Sequence, residues 1–237
     1  MTTLLLRFAG PMQSWGTQSR FTVRDAGAEP SKSGVVGLLC AALGRRRNQT
    51  VDDLAALKLG VRVDKEGVVR LDYHTAGGTH LKGESYGVRL ASGDNVGTVV
   101  SRRYYLADAD FLVGLEGEEN LLRQLEKAVA EPVWQTYLGR KAFVPGVPVR
   151  IPEGFKAGFE LETALVEYPW PRAGLRVPPP RHRPSRLLFV LETDGKEGEE
   201  TRRDQPLGTA YQERRFVPRY VRRVFHNLGK EIPIRGE

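Results

Sequence analysis

The residue pattern predicts an α+β fold: a ferredoxin-like (RRM-like) antiparallel sheet with two main helices, followed by a small, mostly β C-terminal region. Three observations predict it. Up to about residue 130 the periodicities run strand, helix, strand, strand or hairpin, strand, helix, close to a β-α-β-β-α-β order. A polar stretch from Thr75 to Ser101, punctuated by Gly77, Gly78, Gly83, Gly87, Gly93 and Gly97, separates two core strands as a long excursion. From Pro145 onward, prolines at 145, 148, 152, 169, 171 and 178–180 break the helical period and leave short strands.

Each element has a local reason. Thr2 to Phe8 is short and apolar, as a buried strand is. Ser31 or Ser33 caps an apolar helix running from Ser33 to Leu43, which Gly44 and the cations Arg45–Arg47 close. That helix is apolar nearly all round and is expected to be buried on most sides. Thr50 caps a shorter helix through Leu57, with Asp52 and Asp53 in its first turn. Leu59 to Val63 and Val68 to Tyr73 alternate as strands joined by a turn at Asp64–Gly67. Arg102 to Leu115 reads as one strand, and Glu118 to Ala130 as a helix that Pro132 stops. A final strand of the sheet is expected near Ala142 to Val149, giving a domain over 1–149 and a second region over 150–237. In that region Leu161 to Tyr168 and Leu187 to Thr193 read as strands, and Lys196 to Glu200 as a solvated turn.

Composition narrows the function classes. The chain has 237 residues, 40% apolar and 27% charged, which is ordinary for a globular protein. A net charge of +7 and a pI near 9.6 favour an anionic partner. Of the 36 basic residues 27 are Arg, whose planar fork binds phosphate and stacks on bases, although GC-rich or thermophilic sources share the bias. Arg202 to His226 holds seven Arg interleaved with Tyr211, Phe216, Tyr220 and Phe225. It reads either as a surface for nucleic acid or an acidic protein, or as an edge strand with Arg on its outward positions. Cys40 is the sole cysteine, which rules out an intrachain disulfide and points to core packing. The N-terminal apolar stretch is too short for a signal peptide and Val35 to Leu43 too short for a membrane span, so a cytoplasmic chain with no cofactor is expected.

Three motifs carry what chemistry there is. Gly10-Pro11-Met12-Gln13-Ser14-Trp15-Gly16 follows the first strand, and Trp15 beside Gln13 and Ser14 either offers a stacking face for a base or plugs the core. Asp72-Tyr73-His74-Thr75 sets a candidate general base at the foot of the excursion, with Lys82 or Arg102 to stabilise charge on a phosphate. Tyr137-Leu138-Gly139-Arg140-Lys141 places a glycine beside two cations, a pattern that lets backbone amides and side chains approach one phosphate. His74, His80, His182 and His226 show no metal-ligand spacing.

With these residues in view, the chain resembles the CasD family of subunits of Cascade, the type I-E CRISPR RNA-guided surveillance complex, within the RAMP superfamily. The ordered blocks are Leu6 to Gly16, Pro30 to Leu39, Asp72 to Thr75, Arg103 to Phe111, Tyr137 to Lys141 and Arg203-Asp204-Gln205-Pro206. The resemblance implies a ferredoxin-like domain with a protruding thumb hairpin, here about 75–101, that holds the 5′ handle of the CRISPR RNA without cutting it. It implies contacts with the adjacent backbone subunit and with the large PAM-recognising subunit, target DNA nearby and no membrane. The implied RNA contacts are Gln13, Ser14 and Trp15, then Lys32 and Ser33 at the helix start. Arg140 and Lys141, His74 and Thr75 at the thumb base, and Arg102, Arg103 and Arg203 complete the set. Type I-C relatives cut precursor RNA, so a metal-independent endoribonuclease using His74 is the alternative.

Overall fold

The computed structural model describes residues 1–17, 22–77, 87–89, 96–171, 180–195, 200–213 and 215–235, without the side chains of 89, 96, 180, 210 and 211. In chain order the first elements are β1 (Thr2–Ala9), β2 (Met12–Gln13), β3 (Val23–Arg24), α1 (Lys32–Leu43), α2 (Asp52–Ala55), β4 (Lys58–Lys65) and β5 (Val68–Ala76). Next come β6 (Val88–Arg89), β7 (Val96–Gly97), β8 (Val99–Ala107), β9 (Asp110–Gly117), α3 (Glu119–Ala130) and β10 (Arg150–Ala157). The last are α4 (Leu161–Glu167), β11 (Arg186–Thr193), β12 (Glu200–Pro206), α5 (Ala210–Glu213) and β13 (Phe216–Asn227).

Local chemistry sets the helix limits. Ser31, rather than Ser33, caps α1, its Oγ accepting from the Gly34 amide at 3.3 Å. Gly44 ends α1 at φ 69°, a conformation that strains any residue with a Cβ. Glu118 caps α3 by accepting from the amides of Asn120 and Leu121, both at 2.8 Å. The second helix is only one turn and stops at Ala55, short of Leu57.

β10, β1, β9 and β4 lie side by side, all antiparallel. Numbered among themselves they run 4-1-3-2, the order of a ferredoxin-like fold. β11, β13 and β12 extend the same sheet from the β4 edge. Helices cover both faces. On one, Leu4, Leu6 and Phe8 pack with Leu38 and Leu39 of α1 and Leu122 and Leu125 of α3. On the other, Leu5, Leu112 and Phe189 pack with Leu161, Ala164 and Leu165 of α4. Burial on both sides explains why β1 reads as a continuous apolar run rather than an alternating one.

Four expectations need correction. The strand that completes the order is Arg150–Ala157, not a segment near Ala142 to Val149. Residues 131–149 form an irregular connection instead, with Arg7 donating to the Val149 carbonyl at 2.8 Å and Gly146 to that of Ala9 at 2.9 Å. Leu161–Glu167 is the helix α4, not a strand. Leu161, Ala164, Leu165 and Tyr168 recur at helical spacing, and α4 sits where the sheet is bare: Gly60 pairs with Gly114, and a Cβ at either would approach Leu165 or Leu161 within 2.8 Å. The third correction concerns the run Arg102 to Leu115. It is two strands, β8 and β9, parted at Asp108, whose φ is 56°. Finally, β5 does not pair with β4; it leaves the main sheet and pairs with β8 from Val68↔Ala107 to Ala76↔Val99.

The second sheet comprises β5, β8, β2 and β3 and forms the stem of the excursion, with β6 and β7 paired above it. His80, Lys82 and Tyr86 lie outside the described residues, as does most of the expected turn at Lys196 to Glu200. No helix among the described residues is long and apolar enough to cross a membrane.

Candidate nucleic-acid interface

The loop after β1 turns inward. Gln13 is 0% exposed; its Nε2 donates to the carbonyls of Phe8 at 3.1 Å and Ala109 at 2.8 Å. Its Oε1 accepts from Trp15 Nε1 at 3.1 Å, so every polar atom of both side chains has a partner. Trp15 is 1% exposed and stacks on Phe8, ring centroids 5.6 Å apart. Ser14 is buried, its Oγ donating to the Tyr104 carbonyl at 3.3 Å. Of the two readings of Trp15, the ring plugs the core, and the side chains of Gln13, Ser14 and Trp15 are spent on holding the loop. Gly139, φ 87°, serves the same clamp: a Cβ there would lie 1.7 Å from the Ser14 carbonyl oxygen. Its neighbour Leu138 accepts from the Ser14 amide at 3.1 Å.

The start of α1 is also occupied. Its N-terminal amide at Lys32 donates to Asp204 Oδ2 at 2.7 Å, so a carboxylate from β12 already fills the place where a phosphate was expected. Lys32 is buried, with Nζ 2.6 Å from Glu192. Burial pulls its pKa below the ordinary lysine value, and Glu192 opposes that. Ser33 is half-buried, its Oγ 3.5 Å from that of Ser31. Arg219 grips the same Asp204 through two hydrogen bonds of 2.6 and 3.0 Å. Arg203 is exposed on β12, on the alternate position to Asp204.

The second sheet sorts the remaining candidates by face, because successive residues of a strand point to opposite sides. Tyr73↔Arg102 and Leu71↔Tyr104 are register pairs on one face, with Thr75 beside them; all five are exposed. Asp72↔Arg103 and His74↔Ser101 are pairs on the other face. Arg102 and Arg103 thus serve different surfaces. Arg103 Nε donates to Ser101 Oγ at 2.8 Å, and His74 Nδ1 lies 3.4 Å from Asp72 Oδ2. β3 runs parallel to β8 and sets Arg24 in register with Arg103, two like charges that destabilise each other unless something lies between them.

Arg140 completes this group. It is half-buried over the Phe143 ring at 5.5 Å, and its Nη1 is buried without a hydrogen-bond partner among the described residues. Burial first, then the positive charge of Arg103, pulls its pKa below the ordinary guanidinium value; Asp72 pulls the other way, and Arg24 and Asp25 add smaller effects. The group stays charged, as arginine does. Lys141 beside it is exposed. Three guanidiniums converge here and one buried donor waits for an acceptor, which is what a phosphate oxygen supplies. Arg24 carries no motif signal; only the β3–β8 pairing brings it to Arg103. Among the described residues no three His, Cys, Asp or Glu side chains gather as a metal site.

Comparison with known proteins agrees with this architecture. The family model described as CRISPR-associated protein (Cas_Cas5) matches residues 3–222. The CRISPR system Cascade subunit CasD of Escherichia coli (strain K12) is 38% identical over 155 residues; the match spans 59% of this chain and 65% of that relative. A solved structure titled "Crystal structure of Cas protein" superposes with a TM-score of 0.74 at 41% identity, covering 98% of both chains. A chain of a "CRISPR RNA-guided surveillance complex" does so with a TM-score of 0.74 at 34% identity, covering 98% of this chain and 95% of that one. With a ferredoxin-like order, the strand-loop-helix blocks in place and the match extending over nearly the whole length, the chain belongs to the CRISPR-associated Cas5 family.

Proposed function

We propose that this chain is a subunit of a Cascade-type surveillance complex that holds the 5′ handle of the CRISPR RNA in the cytoplasm and does not cut it. The observation that carries the reading is the convergence of Arg24, Arg103 and Arg140 at the foot of the β5–β8 stem, with Arg140 Nη1 buried and unpartnered among the described residues. A buried donor left without an acceptor costs about 1–3 kcal/mol, so an RNA phosphate bound there relieves a penalty already present in the free chain. Lys141 extends the contact along the backbone, with His74 on the Arg103 face of the stem; Thr75 lies on the other face.

The opposite face of the stem supports the subunit role. Val69, Leu71, Tyr73, Val100 and Tyr104 are exposed together on it, and an open apolar face of this kind suits contact with a neighbouring protein. The adjacent backbone subunit and the large PAM-recognising subunit, with target DNA nearby, are the partners proposed.

The test is binding of labelled handle RNA to the full chain over a KCl series, with cleavage of a repeat RNA scored in EDTA. Arg103→Ala/Arg140→Ala is expected to weaken binding at least tenfold and to reduce the slope of log K against log salt by roughly 1.4, two phosphate contacts on a single strand. Unchanged affinity and slope would remove the cluster from the RNA path. Site-specific cleavage in EDTA, lost in His74→Ala, would replace the holding role with the endoribonuclease one.

A further inference from the structure

Of the chain's three tryptophans, Trp134 alone lies in the open, 45% exposed against 1% for Trp15 and 7% for Trp170. Its position is fixed by backbone. Trp134 donates to the Ala41 carbonyl at 3.0 Å and Val133 to that of Ala42 at 2.9 Å, so the connection after α3 satisfies the last carbonyls of α1. Beside the indole opens a groove of about 760 Å³ between α1, this connection and the start of β13. Tyr137 and Phe216 line it with Trp134, and among the described residues its charged lining is Arg45, Arg47 and Lys141, with no acid. Arg45 is committed to Asp53 by bonds of 2.5 and 2.8 Å. Arg47 and Lys141 form no ion pair with a described residue.

We propose that this groove takes one unpaired nucleotide of a single strand, its base stacked on Trp134 and its phosphate held by Arg47 and Lys141. A held but exposed indole with cations beside it matches a flat π-face joined to an anion, and the volume falls in the range of small-ligand sites. The cationic rim argues against a neutral or basic peptide. Lys141 follows Arg140 directly, so the groove prolongs the strand's path from the arginine cluster to the helical side of the sheet. The inference rests on the RNA-holding reading and shares only Lys141 with it; Trp134 and Arg47 lie outside that contact.

Trp134 provides its own assay, because the other two indoles are buried. Adenosine monophosphate and a six-nucleotide oligo(A) titrated into the full chain should quench tryptophan fluorescence saturably. Trp134→Leu should abolish the saturable part and weaken oligo(A) binding roughly fivefold or more, while Trp134→Tyr, which keeps a stacking ring, should retain binding. Arg47→Ala/Lys141→Ala should weaken the monophosphate and leave adenosine unchanged. No saturable quenching by either ligand overturns the proposal, as does quenching by an oligoglutamate peptide in their place. If Trp134 stays silent while Arg103→Ala/Arg140→Ala still loses RNA, the groove falls and the RNA-holding reading stands.

Discussion

Gln13 and Trp15 show how a polar pair becomes structural. An amide with three buried partners cannot turn outward without stranding two carbonyls and an indole N–H, so the loop conformation is locked. Gly34 makes room for the ring, since a Cβ there would lie 2.8 Å from Trp15 Cε3. Trp15→Ala is expected to cost about 3–5 kcal/mol in urea unfolding of the full chain. A loss under about 1 kcal/mol would show that the ring is not a core anchor. Arg140 is the reverse case, a group whose hydrogen bonding the described residues leave incomplete.

At the scale of elements, loop and helix ends do the positioning. Gly139 rests on the Ser14 backbone at φ 87°, which leaves no space for a side chain and holds Arg140 next to the second sheet. Gly139→Ala should therefore lower stability by about 2 kcal/mol or more and weaken RNA together, a coupling that Lys141→Ala would not show. The cap of α3 makes a pH prediction. Two backbone amides hold the Glu118 pKa below its ordinary value of 4.5. A carboxyl depressed by folding contributes above its unfolded pKa and loses that contribution as pH falls through the folded one. Amide-exchange protection at Asn120 and Leu121, corrected for intrinsic rates, should thus hold at pH 5 and fall below 4.5, and the fall should be absent in Glu118→Gln.

At the scale of the molecule, one buried ion network joins the C-terminal strands to the first helix. Glu192 of β11, Lys32 of α1, Asp204 of β12 and Arg219 of β13 are linked by contacts of 2.6 to 3.8 Å. Glu192 also accepts from the Leu59 amide of β4 at 3.1 Å. Breaking such a network at one member leaves the others charged and buried, at about 3–5 kcal/mol. Asp204→Ala should destabilise the regions on both sides of residue 150 equally. Urea midpoints read at Trp15 and Trp170, each isolated by replacing Trp134 and the other one with Phe, should fall together; separate midpoints would establish two independent units.

The sequence by itself determined what depends on neighbours along the chain. Ser31 or Ser33 and Gly44 mark the ends of the first helix, and the strand-helix order yields the ferredoxin-like sheet, because caps and periodicities act over a few residues. Its basic, Arg-rich composition already pointed to an anionic partner. Only the tertiary structure decided which polar groups are spent inside the fold. Lys32 looks like a phosphate ligand until Glu192, 160 residues away, arrives beside it. Trp15 looks like a stacking face until Phe8 and Gly34 close over it, and Arg24 is an unremarkable cation until β3 docks against β8. Burial and charge pairing are settled by segments distant in the chain, and no local pattern encodes which of them will meet.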